Sequence, residues 1–397
     1  MIDGEKPFDA DNHYYEAADA FTRHVPESMR ARCVQWAEID GRKHHVVAGK
    51  LARAVSNPTW NPIAKPGAIA EYLRGNPDRK DPRELMLQRE PLPDCYMDRD
   101  ARVAKVEEQG LSGIWLFPTL GVLYEELVKD DIEAVRTLFR GFNRWLDEDW
   151  GCNYRDTLFA APYLPLGDVD FACEELEWAL ERDARVIVIR PAAVVTPDLG
   201  PISPAHPRLD PFWARVNEAG ITVVIHAGDS GYTTHGYVRD GFSSAGFTSG
   251  PLRPNIKQLN IERAAYDFLL TISYEKLFER FSNLRIASVE NGAEFLPDLF
   301  RKLRQSRDRL AVFGYYSEDP GELFREHVWI NPFWEDDVYE VESLMGPERV
   351  IFGSDWPHIE GMPQPLDYVS ELTAFDDTQR MQILRDNTRQ LNTLQAA

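Results

Sequence analysis

Five side chains of the kinds that bind metal ions stand at the ends of short apolar runs. They close the runs FDADNH, ITVVIH, IASVE and IFGSD: Asp11, His13, His226, Glu290 and Asp355. Asp11 and His13 point to the same side of a strand, because side chains alternate with a period of two. A buried charge is costly without a partner, and a metal ion suits all of these side chains. The pattern predicts a metal centre; the alternative is a separate structural hydrogen bond for each.

Two more side chains enlarge the candidate set. Glu16 and His358 lie close to the runs in sequence and bring the number of candidate metal ligands to seven. One ion needs three or four protein ligands, so the set could hold two ions bridged by carboxylates. Catalytic roles are predicted for Glu290, Asp355 and His358. Three neighbouring side chains are predicted to contact the substrate, although structural pairing stays open for the first of them: Arg190, Tyr14 and Trp356.

Eight apolar runs alternate with amphipathic segments and predict the elements that carry these residues. Short runs rich in Val and Ile are typical of buried parallel strands. We expect an α/β fold, a TIM-type (β/α)8 barrel that forms one domain over residues 1–397, with the candidate ligands at the C-terminal ends of its strands. An open doubly wound sheet is the alternative, and the lack of a GxGxxG turn after the first run disfavours it. The runs are Phe8–His13, Gly113–Pro118, Thr157–Tyr163, Arg185–Arg190, Ile221–His226, Leu284–Glu290, Val328–Asn331 and Arg349–Asp355.

Two segments interrupt the alternation. Residues 27–97 are rich in Pro and Arg and predict a cap inserted after the first strand. They hold 12 Lys or Arg against 9 Asp or Glu, whereas the whole chain carries a net charge of −21. This contrast suits either an ordinary solvated surface or a basic cap that receives an anionic substrate. Residues 228–257, rich in Gly, Ser and Tyr, predict a long loop that acts as a lid.

Composition excludes several classes of function. A net charge of −21 repels nucleic acid and anionic membranes. No run approaches the roughly 20 apolar residues of a membrane span, and no secretory signal is visible. The four cysteines are far apart and form no CxxC motif, which suits a reducing cytoplasm. We therefore expect a cytoplasmic enzyme with a small-molecule substrate.

The motifs DADNHYYE, SVENGAEF, GSDWPH and ILRDNTRQLN resemble the amidohydrolase superfamily, in particular its amidohydrolase-2 branch of TIM-barrel hydrolases and decarboxylases. The resemblance implies metal binding by Asp11, His13, His226 and Asp355. Two positions depart from the family pattern: Asp11 replaces the first family histidine, and Glu290 stands where the family usually has histidine. A site that gains carboxylates in this way suits iron or manganese better than structural zinc.

Within the superfamily, the closest resemblance is to the sub-branch that contains a TIM-barrel nonheme diiron monooxygenase of platensimycin and platencin biosynthesis. It implies two iron ions, O2, an electron donor, and hydroxylation of an unactivated carbon in a hydrophobic substrate linked to coenzyme A. The alternative is a mononuclear zinc or manganese hydrolase or decarboxylase. A homo-oligomer is left open.

Overall fold

The computed structural model describes residues 5–52, 55, 57–232 and 259–395. Most of the predicted lid, residues 233–257, lies outside the described residues. The strands are β1 Phe8–Tyr14, β2 Val34–Ile39, β3 Arg42–Val47, β4 Lys50–Leu51, β5 Ile63–Ala64, β6 Arg89–Glu90, β7 Gly113–Pro118, β8 Leu158–Ala160, β9 Val186–Ile189, β10 Val194–Thr196, β11 Gly200–Ile202, β12 Thr222–His226, β13 Arg285–Val289 and β14 Val328–Ile330.

Seven of these strands pair in parallel around a closed barrel. One group has the order β1-β7-β8 and the other the order β14-β13-β12-β9. A bridge between Tyr163 and Val188 joins the two groups on one side. On the other side, residues 350–356 act as the eighth strand, since Val350 bridges to Ile330 and Trp356 to Asn12. The chain therefore folds as the predicted α/β TIM-type barrel.

Amphipathic helices surround the barrel. Their bounds are α1 Ala70–Leu73, α2 Pro82–Met86, α3 Arg99–Glu108, α4 Gly121–Val128, α5 Ile132–Asp149, α6 Val169–Leu180, α7 Asp210–Ala219, α8 Asn260–Tyr274, α9 Leu277–Arg280, α10 Leu296–Leu310, α11 Pro320–His327, α12 Val338–Met345, α13 Asp377–Met381 and α14 Asn387–Leu391. None of the helices that the structure describes is long and apolar enough to span a bilayer.

The segment predicted as a cap contains two small antiparallel sheets. One has the order β2-β3-β4 and the other joins β5 to β6. The cap is tied to the barrel through buried groups: His45 Nδ1 lies 2.6 Å from the Tyr124 hydroxyl of α4, and the Trp60 indole donates to the Glu16 carbonyl at 3.0 Å. Further contacts fasten it near the end of the eighth strand, where Gly67 N–H donates to the His358 carbonyl at 3.0 Å.

Candidate metal centre

The ends of four barrel strands bring five candidate ligand atoms close together. His13 Nε2 lies 3.3 Å from Asp11 Oδ1, 3.4 Å from Glu290 Oε2 and 3.3 Å from Asp355 Oδ1. His226 Nε2 lies 3.5 Å from the same Asp11 oxygen and 3.4 Å from the same Glu290 oxygen. Ligand atoms about 2.0–2.2 Å from a shared ion at tetrahedral angles would be about 3.3–3.6 Å apart. The spacing therefore fits a metal ion at the common point.

Several of these atoms are buried without a hydrogen bond, among the residues that the structure describes. They are Asp11 Oδ1, His13 Nε2 and His226 Nε2. His226 Nδ1 lies 2.8 Å from the Ala227 carbonyl, which can only accept a proton. Nδ1 is therefore the donor, and the lone pair of neutral His226 is on Nε2, facing the cluster. Unpaired buried polar atoms are costly, and a bound cation removes this cost.

The electrostatics of the cluster also favour a cation. Burial opposes protonation of His13, yet the carboxylates of Asp11 and Glu290, 3.3 and 3.4 Å from its Nε2, raise its pKa to about 9. Burial and the nearby Glu290 charge raise the pKa of Asp355 well above its usual range. Without an ion, protons must therefore supply the positive charge that three crowded carboxylates require.

The backbone turns sharply where two of the carboxylates enter the site. Glu290 has φ 56° and Asp355 has φ 55°, in the left-handed region that side chains other than glycine seldom adopt. Such strain is typical of residues held in place for function. Both residues follow directly on the ends of strand segments, so the turn aims their side chains into the barrel mouth.

Asp9 joins the first and eighth strands beneath the site. Its buried carboxylate accepts hydrogen bonds from the Ser354 backbone N–H at 2.9 Å and from the Ser354 hydroxyl at 2.6 Å. It also accepts from the Asp11 N–H at 3.1 Å and the Asn12 amide at 2.8 Å. These bonds span a bulge in β1 between Asp9 and Asn12, which fixes the strand that carries Asp11 and His13.

Asp355 and His358 hold a proton between them. The Thr119 hydroxyl donates to the Tyr14 carbonyl at 2.8 Å, so its oxygen accepts the Nε2–H of His358 at 3.0 Å. The other nitrogen of neutral His358, Nδ1, is then bare, and it lies 2.6 Å from Asp355 Oδ1. Such a contact needs a proton between the two atoms. Burial raises the pKa of Asp355 and lowers that of His358.

Six of the seven predicted ligands form two overlapping groups rather than two separate sites. Two groups could hold a metal ion among the described residues, and both include His13 and Glu290. The same His13 Nε2 faces both Glu290 Oε2 and Asp355 Oδ1, and the same Glu290 Oε2 faces both His13 and His226. A single nitrogen lone pair serves one ion, so the two groups compete for the same ion. His358, whose ring centroid lies 3.9 Å from that of His13, borders this position.

Glu16 does not join the cluster. One of its carboxylate oxygens accepts the backbone N–H groups of Leu120 at 2.7 Å and Gly121 at 3.0 Å, at the start of α4. A helix N-terminus attracts a carboxylate because its first N–H groups have no partner within the helix. Glu16 therefore fixes α4 against β1, and its predicted role as a metal ligand is not what the structure shows.

The predicted substrate contacts also lie elsewhere. Tyr14 points away from the barrel mouth and stacks on Trp150 at a centroid distance of 5.4 Å, because it follows His13 by one residue. Arg190 is held by the carboxylates of Glu125 at 3.2 Å and Glu126 at 2.7 Å, both on α4. The Trp356 ring packs under a buried arginine of α3, Arg102, 4.7 Å away.

A cavity of about 540 Å³ opens onto the cluster. Its walls include side chains that are not among the three predicted substrate contacts: Tyr15, Trp60, Ile63, Arg89, Thr119 and Leu123. The period-two rule applied to His13 would have identified Tyr15, which is two residues further on. The cap contributes Trp60, Ile63 and Arg89, and no periodic pattern in its irregular sequence marked them.

The chain is similar to known amidohydrolases in sequence and in fold. The amidohydrolase family model matches residues 119–391. The crystal structure of amidohydrolase map2389c from Mycobacterium avium subsp. paratuberculosis K-10 has 36% sequence identity and a TM-score of 0.90, and the match covers 98% of this chain and 99% of that chain. No curated protein matches the chain.

Decarboxylases are among the more distant solved structures. The 2,6-dihydroxybenzoate decarboxylase from Rhizobium has 19% identity and a TM-score of 0.55, over 74% of this chain and 88% of that chain. A dihydroxybenzoic acid decarboxylase from Polaromonas sp. JS666, with bound manganese, has 18% identity and a TM-score of 0.56, over 82% and 93%. At this identity they show the shared fold alone. The family-model match and the 36% identical structure show that this chain belongs to the amidohydrolase family.

Proposed function

We propose that the chain is a decarboxylase that uses one divalent metal ion and acts on a carboxylic acid with an apolar body. The observation that carries this proposal is the 2.6 Å contact between Asp355 Oδ1 and His358 Nδ1, beside the metal-binding cluster, which lets the two side chains share a proton. Decarboxylation replaces a carboxylate by a proton, so it needs an acid at the reacting carbon. Some structural relatives are decarboxylases, which agrees with this reaction.

The ion would be held by Asp11, His13, His226 and Glu290, with Asp355 at its edge. Three carboxylates and two imidazoles suit manganese well and zinc less well. Two of the structural relatives contain manganese. When bound, such an ion supplies Lewis-acid polarisation of the substrate's oxygen atoms.

The chain's own residues would position the acid and supply the proton. Three carboxylates repel an anionic substrate unless a cation is present, so they make acid binding depend on the metal. Apolar walls such as Ile63, Val122 and Leu123 enclose the body of the substrate and exclude water. His358 lines the cavity and shares its proton with Asp355, which places the acid at the substrate.

The reaction balances with these groups. The bond between the carboxyl carbon and its neighbour breaks, and its electron pair stays on the neighbouring carbon. That carbon takes the proton from the Asp355–His358 pair, and CO2 leaves. Water then returns a proton to the pair through the open cavity. No oxidant or reductant takes part.

Hydrolysis is a second candidate, because the family includes hydrolases and the same pair could receive a proton. A water molecule attacking a carbonyl must lose a proton to a nearby base. The Asp355–His358 pair could serve as this base after it has released its own proton. Incorporation of ¹⁸O from labelled water into the product, without release of CO2, would favour hydrolysis over decarboxylation.

The diiron oxygenase suggested by sequence resemblance stays a prediction. It requires two ion positions, whereas the described ligands compete for one, and Glu16 is engaged by α4. Turnover under strict anoxia separates the cases, because an oxygenase consumes O2 and the other two reactions do not.

Decarboxylation can be tested directly on the metal-loaded protein. Aromatic and aliphatic acids labelled with ¹³C at the carboxyl carbon are incubated in D2O with the manganese form. We expect ¹³C-labelled CO2 and one deuterium at the vacated carbon, both lost in Asp355→Asn. Glu294→Gln is the control, since Glu294 is exposed and outside the cluster. Product formation that yields no CO2, or that stops without O2, would contradict the proposal.

A further inference from the structure

We propose that Arg89 binds a second anionic group of the substrate on the cap side of the cavity. The substrate class would then be an elongated apolar acid that carries a carboxylate at the metal centre and a further carboxylate or phosphate towards the cap. The assignment of the first carboxylate to the metal centre rests on the proposed function. The role of Arg89 rests on observations of its own.

Arg89 is the one lysine or arginine among the described side chains that line this cavity. It has no ion pair within the part of the chain that the structure describes. Four other basic residues of the cap form ion pairs: Arg32 with Asp131, Arg74 with Glu371, Lys80 with Glu71, and Arg83 with Asp81. None of the other described basic residues of the cap lines the cavity, so Arg89 supplies the cap's positive charge there.

The cap holds Arg89 in a fixed relation to the metal centre. Arg89 lies on β6, where it pairs with Ala64 of β5. The chain just after β5 is bonded to the loop that carries His358: Gly67 N–H donates to the His358 carbonyl, and Ile69 N–H to the Ile359 carbonyl, each at 3.0 Å. The backbone of Arg89 is therefore part of a two-stranded sheet that is fastened to the loop of the catalytic pair, so both can contact one molecule.

The cavity requires a body longer than one ring. An apolar cavity of about 150 Å³ is enough for benzene, whereas this one measures about 540 Å³. Its walls between the two charged ends are apolar, with Val55, Trp60 and Ile63 from the cap. Glu360, two residues after His358, also lines the cavity and repels a second anion near the metal. The second anion is therefore placed at Arg89, where the guanidinium offers a planar fork of donors.

The test measures binding of simple probes to the metal-loaded chain by calorimetry. The probes are straight-chain alkanoic acids, the α,ω-dicarboxylic acids of the same lengths, and the matching ω-phosphono acids. At the chain length that spans the cavity, a dianionic probe should bind about tenfold more tightly than the monoacid of the same length, as expected for charge-assisted hydrogen bonds. Arg89→Met should abolish this difference, and Arg89→Lys should keep part of it. Arg83→Met is the matched control, since Arg83 is a cap arginine that does not line the cavity.

Each possible result of these titrations either supports or overturns the role of Arg89. A gain for the dianion that is lost in Arg89→Met and kept in Arg83→Met supports the inference, and the tighter of the two dianions identifies the group. Equal affinities at every length, or a gain that survives Arg89→Met, overturns it. Monoacid binding before and after metal removal tests the proposed function separately. If the affinity for the monoacid does not change when the metal is removed, the carboxylate does not bind at the metal centre. The comparison between Arg89→Met and Arg83→Met can still be interpreted in that case. Thermal unfolding of each variant confirms that it is folded.

Discussion

At the scale of single residues, the metal centre consists of groups that compensate one another only when a cation is present. Asp11, Glu290 and Asp355 place three carboxylate oxygens within 3.3–3.5 Å of imidazole nitrogens. Burial, together with the nearby Glu290 charge, makes ionisation of Asp355 costly and raises its pKa. The native cluster therefore destabilises the metal-free protein and stabilises the metal-bound one.

Glu290→Gln should separate these two effects. We expect the variant to lose most of its affinity for manganese, because an amide is a weaker ligand than a carboxylate. Its metal-free form should unfold at the same temperature as the native metal-free form or higher, since one crowded charge is gone. Thermal unfolding with and without manganese measures both, and Glu294→Gln is the control. A variant that keeps the full rise in unfolding temperature on adding manganese would show that Glu290 is not a ligand.

Sequence identified the residues that cluster at the barrel mouth because each ends an apolar run, and that position is set by the fold. Sequence could not show that other candidate site residues are already bound by distant parts of the chain. Glu16 looks like an eligible carboxylate until α4 brings two backbone N–H groups to it. Arg190 likewise looks free until Glu125 and Glu126 reach it from another element. Such partners come from distant parts of the chain, and no local pattern reveals them.

At the scale of elements, the site depends on the close approach of the first and eighth strands. Gly353 has no side chain, and a Cβ there would lie 2.5 Å from the Asp11 Cβ and 2.7 Å from Asn331 Oδ1. The missing side chain lets the eighth strand approach Asp11 closely enough to complete the cluster. The requirement is steric, since it concerns space rather than an unusual φ.

Gly353→Ala should push these strands apart. Overpacking of this kind costs about 1–3 kcal/mol in the free energy of unfolding, and the displaced Asp11 should weaken metal binding as well. Denaturant unfolding and a manganese titration measure the two effects. Gly321→Ala in α11 is the matched control, because its nearest neighbour is a side-chain oxygen at 3.2 Å. Unchanged metal affinity in Gly353→Ala would show that this contact does not position Asp11.

The cap depends on a buried histidine that must stay neutral. Burial lowers the pKa of His45 from 6.5 to about 4, and its Nδ1 is hydrogen-bonded with the Tyr124 hydroxyl at 2.6 Å. The unfolded chain binds a proton more readily, so the free energy of unfolding should fall as pH drops from about 6.5 to about 4, by about 2–3 kcal/mol. His45→Asn, whose Oδ1 can accept the same bond, should lose this part of the pH dependence in denaturant titrations. An identical slope in the variant would contradict the assignment.

The elements themselves were largely predictable, and the exceptions have local causes. The amphipathic segment after the predicted lid divides into α8 and α9, where Lys276 adopts φ 62°. The eighth run pairs through isolated bridges rather than a regular ladder. Amphipathic periodicity reports which face of a helix is buried, and it carries no signal for a single left-handed residue.

At the scale of the whole molecule, the barrel provides a rigid rim and the cap provides the cavity. The rim follows from parallel strands that all end on one side, which is why the sequence could locate the metal centre. The cap follows no repeating pattern, so the cavity walls and Arg89 emerged only from the structure. The size and charge of the cavity, and hence the substrate class, depend on this less predictable part.

Elemental analysis of the chain purified without added metal tests the central claim most directly. The claim is that Asp11, His13, His226, Glu290 and Asp355 surround one divalent ion. We predict one manganese or zinc ion per chain, falling to near zero in His226→Ala while the folded state persists by circular dichroism. Two irons per chain would contradict the account and restore the oxygenase. Full occupancy in His226→Ala would show that the ion binds elsewhere.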